Sequence, residues 1–94
     1  MQVGVLHAKL YLHGCASLKD KRRRLRKLRD KFGQNASVAV CESDFADVHQ
    51  QSQWSFVVAA TSAVVVEQIW SDIENYLRTS LDAELLDLNR LWLN

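Results

Sequence analysis

With 94 residues, 48% of them hydrophobic, the chain carries material for one domain and one core. Its longest apolar stretch, Phe56 to Val66, is broken by Thr61 and Ser62 and falls short of the roughly 20 residues of a membrane helix. Met1 to Leu12 alternates instead of reading as a signal peptide, so a cytoplasmic protein with no membrane contact is expected. The formal net charge of +1 conceals a dipole: nine of the twelve lysines and arginines lie between Lys19 and Lys31, giving that segment +7 and the remainder −6.

From Met1 to His13 the even positions Leu6, Ala8, Leu10 and Leu12 alternate with Val5, His7, Lys9 and Tyr11, which is the period of a half-buried strand with its even face inward. Gly14, Cys15 and Ala16 turn the chain, and Ser17 followed by Asp20 forms an N-cap with an acidic partner three residues on. A helix is predicted over Leu18 to Phe32, with Leu18, Leu25, Leu28 and Phe32 on one arc and Gly33 at the C′ position of its end.

Ala36 to Ser43, with Val38 and Val40 in phase, predicts a second strand. A polar stretch from Asp44 to Gln53 follows, and then Trp54 to Thr61 as the third strand. Ala63 to Thr79 places Val66, Ile69, Ile73 and Leu77 at helical spacing. Ala83 to Leu93 alternates less cleanly, with Leu86 and Leu88 on one side and Leu85, Asp87 and Asn89 on the other, and reads as an edge or late-pairing strand. Cys15 and Cys41 match neither a CxxC nor a zinc spacing and are expected as free thiols. The resulting order, β-α-β-β-α-β, predicts an α+β ferredoxin-like sandwich: one domain over residues 1–94, two helices covering one face of a four-stranded antiparallel sheet.

Three segments carry a family resemblance: Gln2-Val3-Gly4-Val5-Leu6, Ser17-Leu18-Lys19-Asp20-Lys21-Arg22-Arg23, and Cys41 to Asp47 leading into Gln50. In these the chain resembles the YlxP-like family of small bacterial proteins of unknown function. The resemblance implies a ferredoxin-like fold and a bacterial cytosolic protein, often encoded near ribosome-maturation and translation-initiation factors, with no established enzyme activity. The chain departs from the family at His49, where a tryptophan is common, and in a short segment around Phe32 to Asn35.

The chemistry concentrates in the first helix. Lys19, Arg23, Arg26 and Lys27 fall opposite the leucines, while Arg22 and Arg29 flank the apolar stripe. Like charges at these spacings each cost a few tenths of a kcal/mol, and cations in the first turn also oppose the helix dipole. An anion relieves that repulsion, and a phosphate backbone suits a row of arginines. RNA or the ribosome is therefore the expected partner, contacted by Lys19, Lys21, Arg22, Arg23, Arg26 and Lys27, and the protein is expected to be non-catalytic. The alternative is a protein-interaction or self-associating module: the helix docks an acidic surface, such as Asp72, Glu74, Asp82 and Glu84 of another copy, or the open sheet face with Val57 and Ala59 buries itself in a homodimer.

Lys21 points along the apolar arc, where it either snorkels over the helix end or joins Ser17 and the free N–H groups of the first turn in an anion site. Base stacking on the open sheet face is not expected, because Trp54, Phe56 and Val58 are read as core and leave Ser55, Val57 and Ala59 outward beside His7, Lys9 and Tyr11. His7, Asp44, Asp47 and His49 have no metal-ligand spacing, so no metal or cofactor is expected. The Gly14 to Ser17 loop lacks the arginine and the glycine-rich cradle of an acylphosphatase-like site on the same fold.

Overall fold

In the first strand, β1 (Gln2–Tyr11), Leu6, Ala8 and Leu10 are fully buried, and Leu12 continues the row just beyond it. The computed structural model describes every residue, Met1–Asn94. After β1 come α1 (Leu18–Phe32), β2 (Val38–Asp44), β3 (Gln51–Ala60), α2 (Ala63–Thr79) and β4 (Glu84–Trp92). The four strands pair antiparallel in the order β2-β3-β1-β4, and the two helices supply the rest of the core on one sheet face. This is the α+β ferredoxin-like sandwich.

Both predicted helices match in extent. Ser17 caps α1 by accepting a hydrogen bond from the Asp20 N–H at 3.0 Å, and Leu25, Leu28 and Phe32 are its buried apolar stripe. Burying each such side chain contributes about 1.5–3 kcal/mol, which overcomes the charge repulsion along the same helix. Phe32 meets Phe56 and Tyr76 edge to face at 5.8 and 5.5 Å between ring centroids, tying α1 to β3 and α2. In α2, Val66, Trp70, Ile73 and Leu77 are buried and Ser62 is the N-cap. Trp70 lies on Gly4, where an added Cβ would overlap the indole ring, so a glycine in β1 makes room for the largest fully buried side chain.

The sequence reading is corrected at three places. Gly33 is the C-cap in right-handed geometry (φ −67°), not a left-handed C′ residue; its N–H donates to the Arg29 carbonyl, which a Cβ there would overlap. β3 starts at Gln51, three residues before Trp54, because Gln51, Ser52 and Gln53 pair with Tyr11, Leu10 and Lys9; Ser52 is fully buried. In β4 the expected grouping of Leu86 with Leu88 does not hold: Leu10 pairs with Leu85 while Lys9 pairs with Asp87, so Leu86 is an extra residue. That bulge puts Leu85 and Leu88 together against the core and leaves Leu86 exposed. β2 has a matching irregularity between Glu42 and Asp44. Both edge strands are thus kinked, which weakens them as templates for a further strand.

Candidate functional site

Along α1 the core claims the 25-28-32 stripe and the remaining circumference is cationic. Lys19, Arg22, Arg23, Arg26, Lys27, Arg29 and Lys31 are all exposed. Lys19, Arg22 and Lys27 make no ion pair or side-chain hydrogen bond. Arg26 lies only 3.9 Å from Asp30, at long range for an ion pair on an exposed surface. Arg23 grips Asp20 through both Nε and Nη2. That hydrogen bond holds the Asp20 carboxyl below its ordinary value and raises the guanidinium above its own. Lys31 sits over the Tyr76 ring at 5.4 Å and Arg29 over the Trp54 ring at 5.5 Å.

Two of the nine cations belong to the fold instead. Arg24 has a nearly buried side chain; it donates to the His13 carbonyl at 2.9 Å and the Asp82 carbonyl at 3.1 Å and lies 3.2 Å from the Asp82 carboxylate, joining α1 to the turn before β4. Lys21, expected among the RNA contacts, is buried at 2% exposure. Its three ammonium protons serve the Phe45 carbonyl at 2.7 Å, the Val48 carbonyl at 2.8 Å and the Glu42 carboxylate at 2.8 Å. It neither snorkels nor opens an anion site with Ser17, because a lysine in the interior needs every donor satisfied. The site assignment of Lys21 is therefore wrong. Its pairing was foreshadowed in the sequence: Glu42 continues the inward phase of Val38 and Val40, so a cation and a carboxylate were both aimed at the core.

By holding two carbonyls, Lys21 shapes the β2–β3 connection. Phe45 has a φ of 62°, an unusual left-handed value for a bulky residue. The Lys9 ammonium lies over its ring at 5.4 Å, and the Val48 N–H closes a turn onto its carbonyl at 3.0 Å. Facing this connection across the flank of α1 is a cleft of about 910 Å³, bordered by Leu18, Arg22, Arg26 and Arg29 from the helix, Trp54 from β3, and Glu42 and Asp47 opposite. Periodicity locates the arginines, but the cleft exists only through the packing of α1 beside β2.

The open sheet face has the predicted phase. Trp54, Phe56 and Val58 are buried among the helices, while Val57 is exposed opposite Val5 and Ser55 lies opposite His7. The His7 imidazole is 2.7 Å from the Ser55 hydroxyl, which donates to Ser43 at 2.7 Å. No group of three or more histidine, cysteine, aspartate or glutamate side chains converges, and His7 lies apart from Asp47 and His49 of the β2–β3 connection. Cys15 is buried and Cys41 exposed, both as free thiols. No helix is long and apolar enough to cross a membrane.

Among curated proteins, none matches the sequence. A family model described as "Protein of unknown function (DUF503)" matches residues 3–90, nearly the whole of the fold just described, including all of α1 and the β2–β3 connection. The chain belongs to the DUF503 family.

Proposed function

We propose that this protein is a non-catalytic, RNA-binding or ribosome-associated accessory domain of the bacterial cytoplasm that contacts phosphates through α1. The observation that carries the reading is the surplus of cations. Seven are exposed on one 15-residue helix, and the fold makes no use of Lys19, Arg22 or Lys27. Unrelieved like charges destabilise a helix, whereas phosphates neutralise them with release of counterions. The resemblance to the YlxP-like family, with its genes near those of ribosome maturation, agrees with this reading. Docking onto Asp72, Glu74, Asp82 and Glu84 of a second copy has less support. Glu74 is already paired with Arg78 and Arg90, Asp82 with Arg24, and Glu84 with His13.

The test is equilibrium binding of a structured ribosomal RNA fragment over a salt series. Four or more phosphate contacts give a log–log slope steeper than about −3. The variant Arg22→Glu/Arg26→Glu/Lys27→Glu, which spares the Arg23–Asp20 bond and so the first turn, is expected to abolish binding while circular dichroism stays native. Salt-insensitive or absent binding by the native chain overturns the reading.

A further inference from the structure

We infer that the cleft between α1 and the β2–β3 connection is a subsite for one unpaired nucleotide of an RNA strand; the inference rests on the RNA reading and names what that surface holds beyond phosphate. Leu18, Arg22, Leu25, Arg26 and Arg29 all border the cleft and recur at helical spacing, so one flank of α1 forms its wall. The volume of about 910 Å³ lies within the 300–1,000 Å³ of small-molecule sites and is ample for a nucleotide.

The lining is not that of a simple anion patch. Arg22 is free of ion pairs and Arg26 holds Asp30 only loosely, so both are available to a phosphate. Asp47 on the opposite wall also forms no ion pair, and beside it Glu42 keeps its carboxylate on Lys21 and Ser52. An acidic wall opposite an arginine wall disfavours a bare inorganic anion and favours a ligand with an anionic end and a hydrogen-donating end, as in a phosphate joined to a ribose and a base. Between the walls the Arg29 guanidinium lies over the Trp54 ring at 5.5 Å. RNA bases stack on aromatic rings and on guanidinium planes, so this pair is a platform for one.

A second observation points the same way. The Trp54 ring borders the cleft, yet its indole N–H is buried without an acceptor. A buried donor left unpaired costs about 1–3 kcal/mol. A nucleotide whose base stacks on the Arg29 guanidinium, which covers the Trp54 ring face, brings a carbonyl or hydroxyl acceptor toward that N–H at the edge of the ring. The Trp70 indole N–H is also unpaired, but it lies under β1 and Trp92, away from the cationic surface. A duplex offers no splayed base, so the ligand is an unpaired segment rather than a helix.

The test is a nuclear magnetic resonance titration of the full chain with nucleoside 5′-monophosphates, inorganic phosphate and a single-stranded RNA pentamer. Trp54→Phe assigns the Trp54 indole resonance, and Arg29→Ala serves as the surface variant that leaves the core untouched. Millimolar nucleoside monophosphate is expected to shift the Trp54 indole signal while inorganic phosphate leaves it in place. The pentamer is expected to bind at least tenfold more tightly than the mononucleotide, and Arg29→Ala to weaken it at least tenfold. Equal shifts from inorganic phosphate reduce the cleft to an anion patch, and equal affinity for mononucleotide and pentamer makes the ligand a free nucleotide; either overturns the inference. No shift from nucleotide or pentamer, with the ribosomal fragment still bound in a salt-dependent manner, removes the subsite and leaves the RNA reading standing. Loss of fragment binding as well removes both.

Discussion

The ammonium of Lys21 lies 2.8 Å from the carboxylate of Glu42, with the two side chains only 3% and 21% exposed. This pair crosses from α1 to the edge strand β2. The same ammonium holds two carbonyls of the β2–β3 connection, and the same carboxylate oxygen accepts from Ser52. A cation in the most basic part of the chain is thereby removed from the surface and made a bolt between helix, strand and loop.

Removing one partner of a buried ion pair leaves the other charge without compensation, at a cost of about 3–5 kcal/mol. Lys21→Met is therefore expected to lose about 3 kcal/mol or more in urea unfolding. The Glu42→Gln background is expected to reduce that loss by about 1–2 kcal/mol, since the two residues share one interaction. A Lys21→Met change of under 0.5 kcal/mol would mean that the interior reorganises at little cost and that the pair does not hold the loop.

At the start of α1, Asp20 titrates below its ordinary value because Arg23 hydrogen-bonds its ionised form. A carboxyl whose folded pKa lies below its unfolded one contributes stability above the unfolded value, and that contribution is lost as pH falls through the folded value. The acid limb of the stability curve, below about pH 4, is therefore expected to flatten in Asp20→Asn. Arg23→Gln is expected to return the Asp20 carboxyl to the usual carboxylate range by carbon-detected titration. An unchanged Asp20 midpoint in Arg23→Gln refutes the assignment.

The two helix caps differ in hydrogen-bond length, 3.0 Å from the Asp20 N–H to Ser17 and 3.4 Å from the Val65 N–H to Ser62. Loss of a serine cap costs about 1 kcal/mol. Ser17→Ala is expected near that figure and Ser62→Ala below it, with thermal melts of the two variants ordered accordingly. The reverse order would show that these lengths do not govern the caps.

Gly4 and Trp70 share one space. Gly4→Ala puts a methyl group into the indole ring, and overpacking of this kind costs about 1–3 kcal/mol. The double variant Gly4→Ala/Trp70→Leu is expected to be more stable than the sum of the two single losses, by at least about 0.5 kcal/mol. Strict additivity in a denaturant cycle would show that β1 moves aside instead.

Much of the fold was legible locally. The period of Leu6, Ala8, Leu10 and Leu12, the Ser17 cap and the Leu25, Leu28 and Phe32 spacing each depend on short stretches of chain. The elements they define came out in order, with both helices at full length. The bulge at Leu86 was not legible, since it arises from how β4 fits against β1 and leaves no mark in composition. The early start of β3 was hidden for a related reason. Gln51, Ser52 and Gln53 look like loop residues until β1 supplies their backbone partners.

The amino-acid sequence by itself determined the α+β plan and the segregation of charge, because periodicity and charge density are properties of neighbouring residues. Which cations remain at the surface was decided only by the tertiary structure. Lys21 and Arg24 lie within a few residues of Arg22 and Arg23 in the same basic run, yet two are internal and two face solvent. The difference rests on acceptors distant in the chain: Glu42, Phe45 and Val48 for one, Asp82 and His13 for the other. Burying a charge is costly unless partners surround it, and packing alone brings those partners within reach. For the same reason the cleft beside Arg22, Arg26 and Arg29 is a product of the fold: the stripe of arginines is written in the sequence, but its opposite wall comes from another part of the chain.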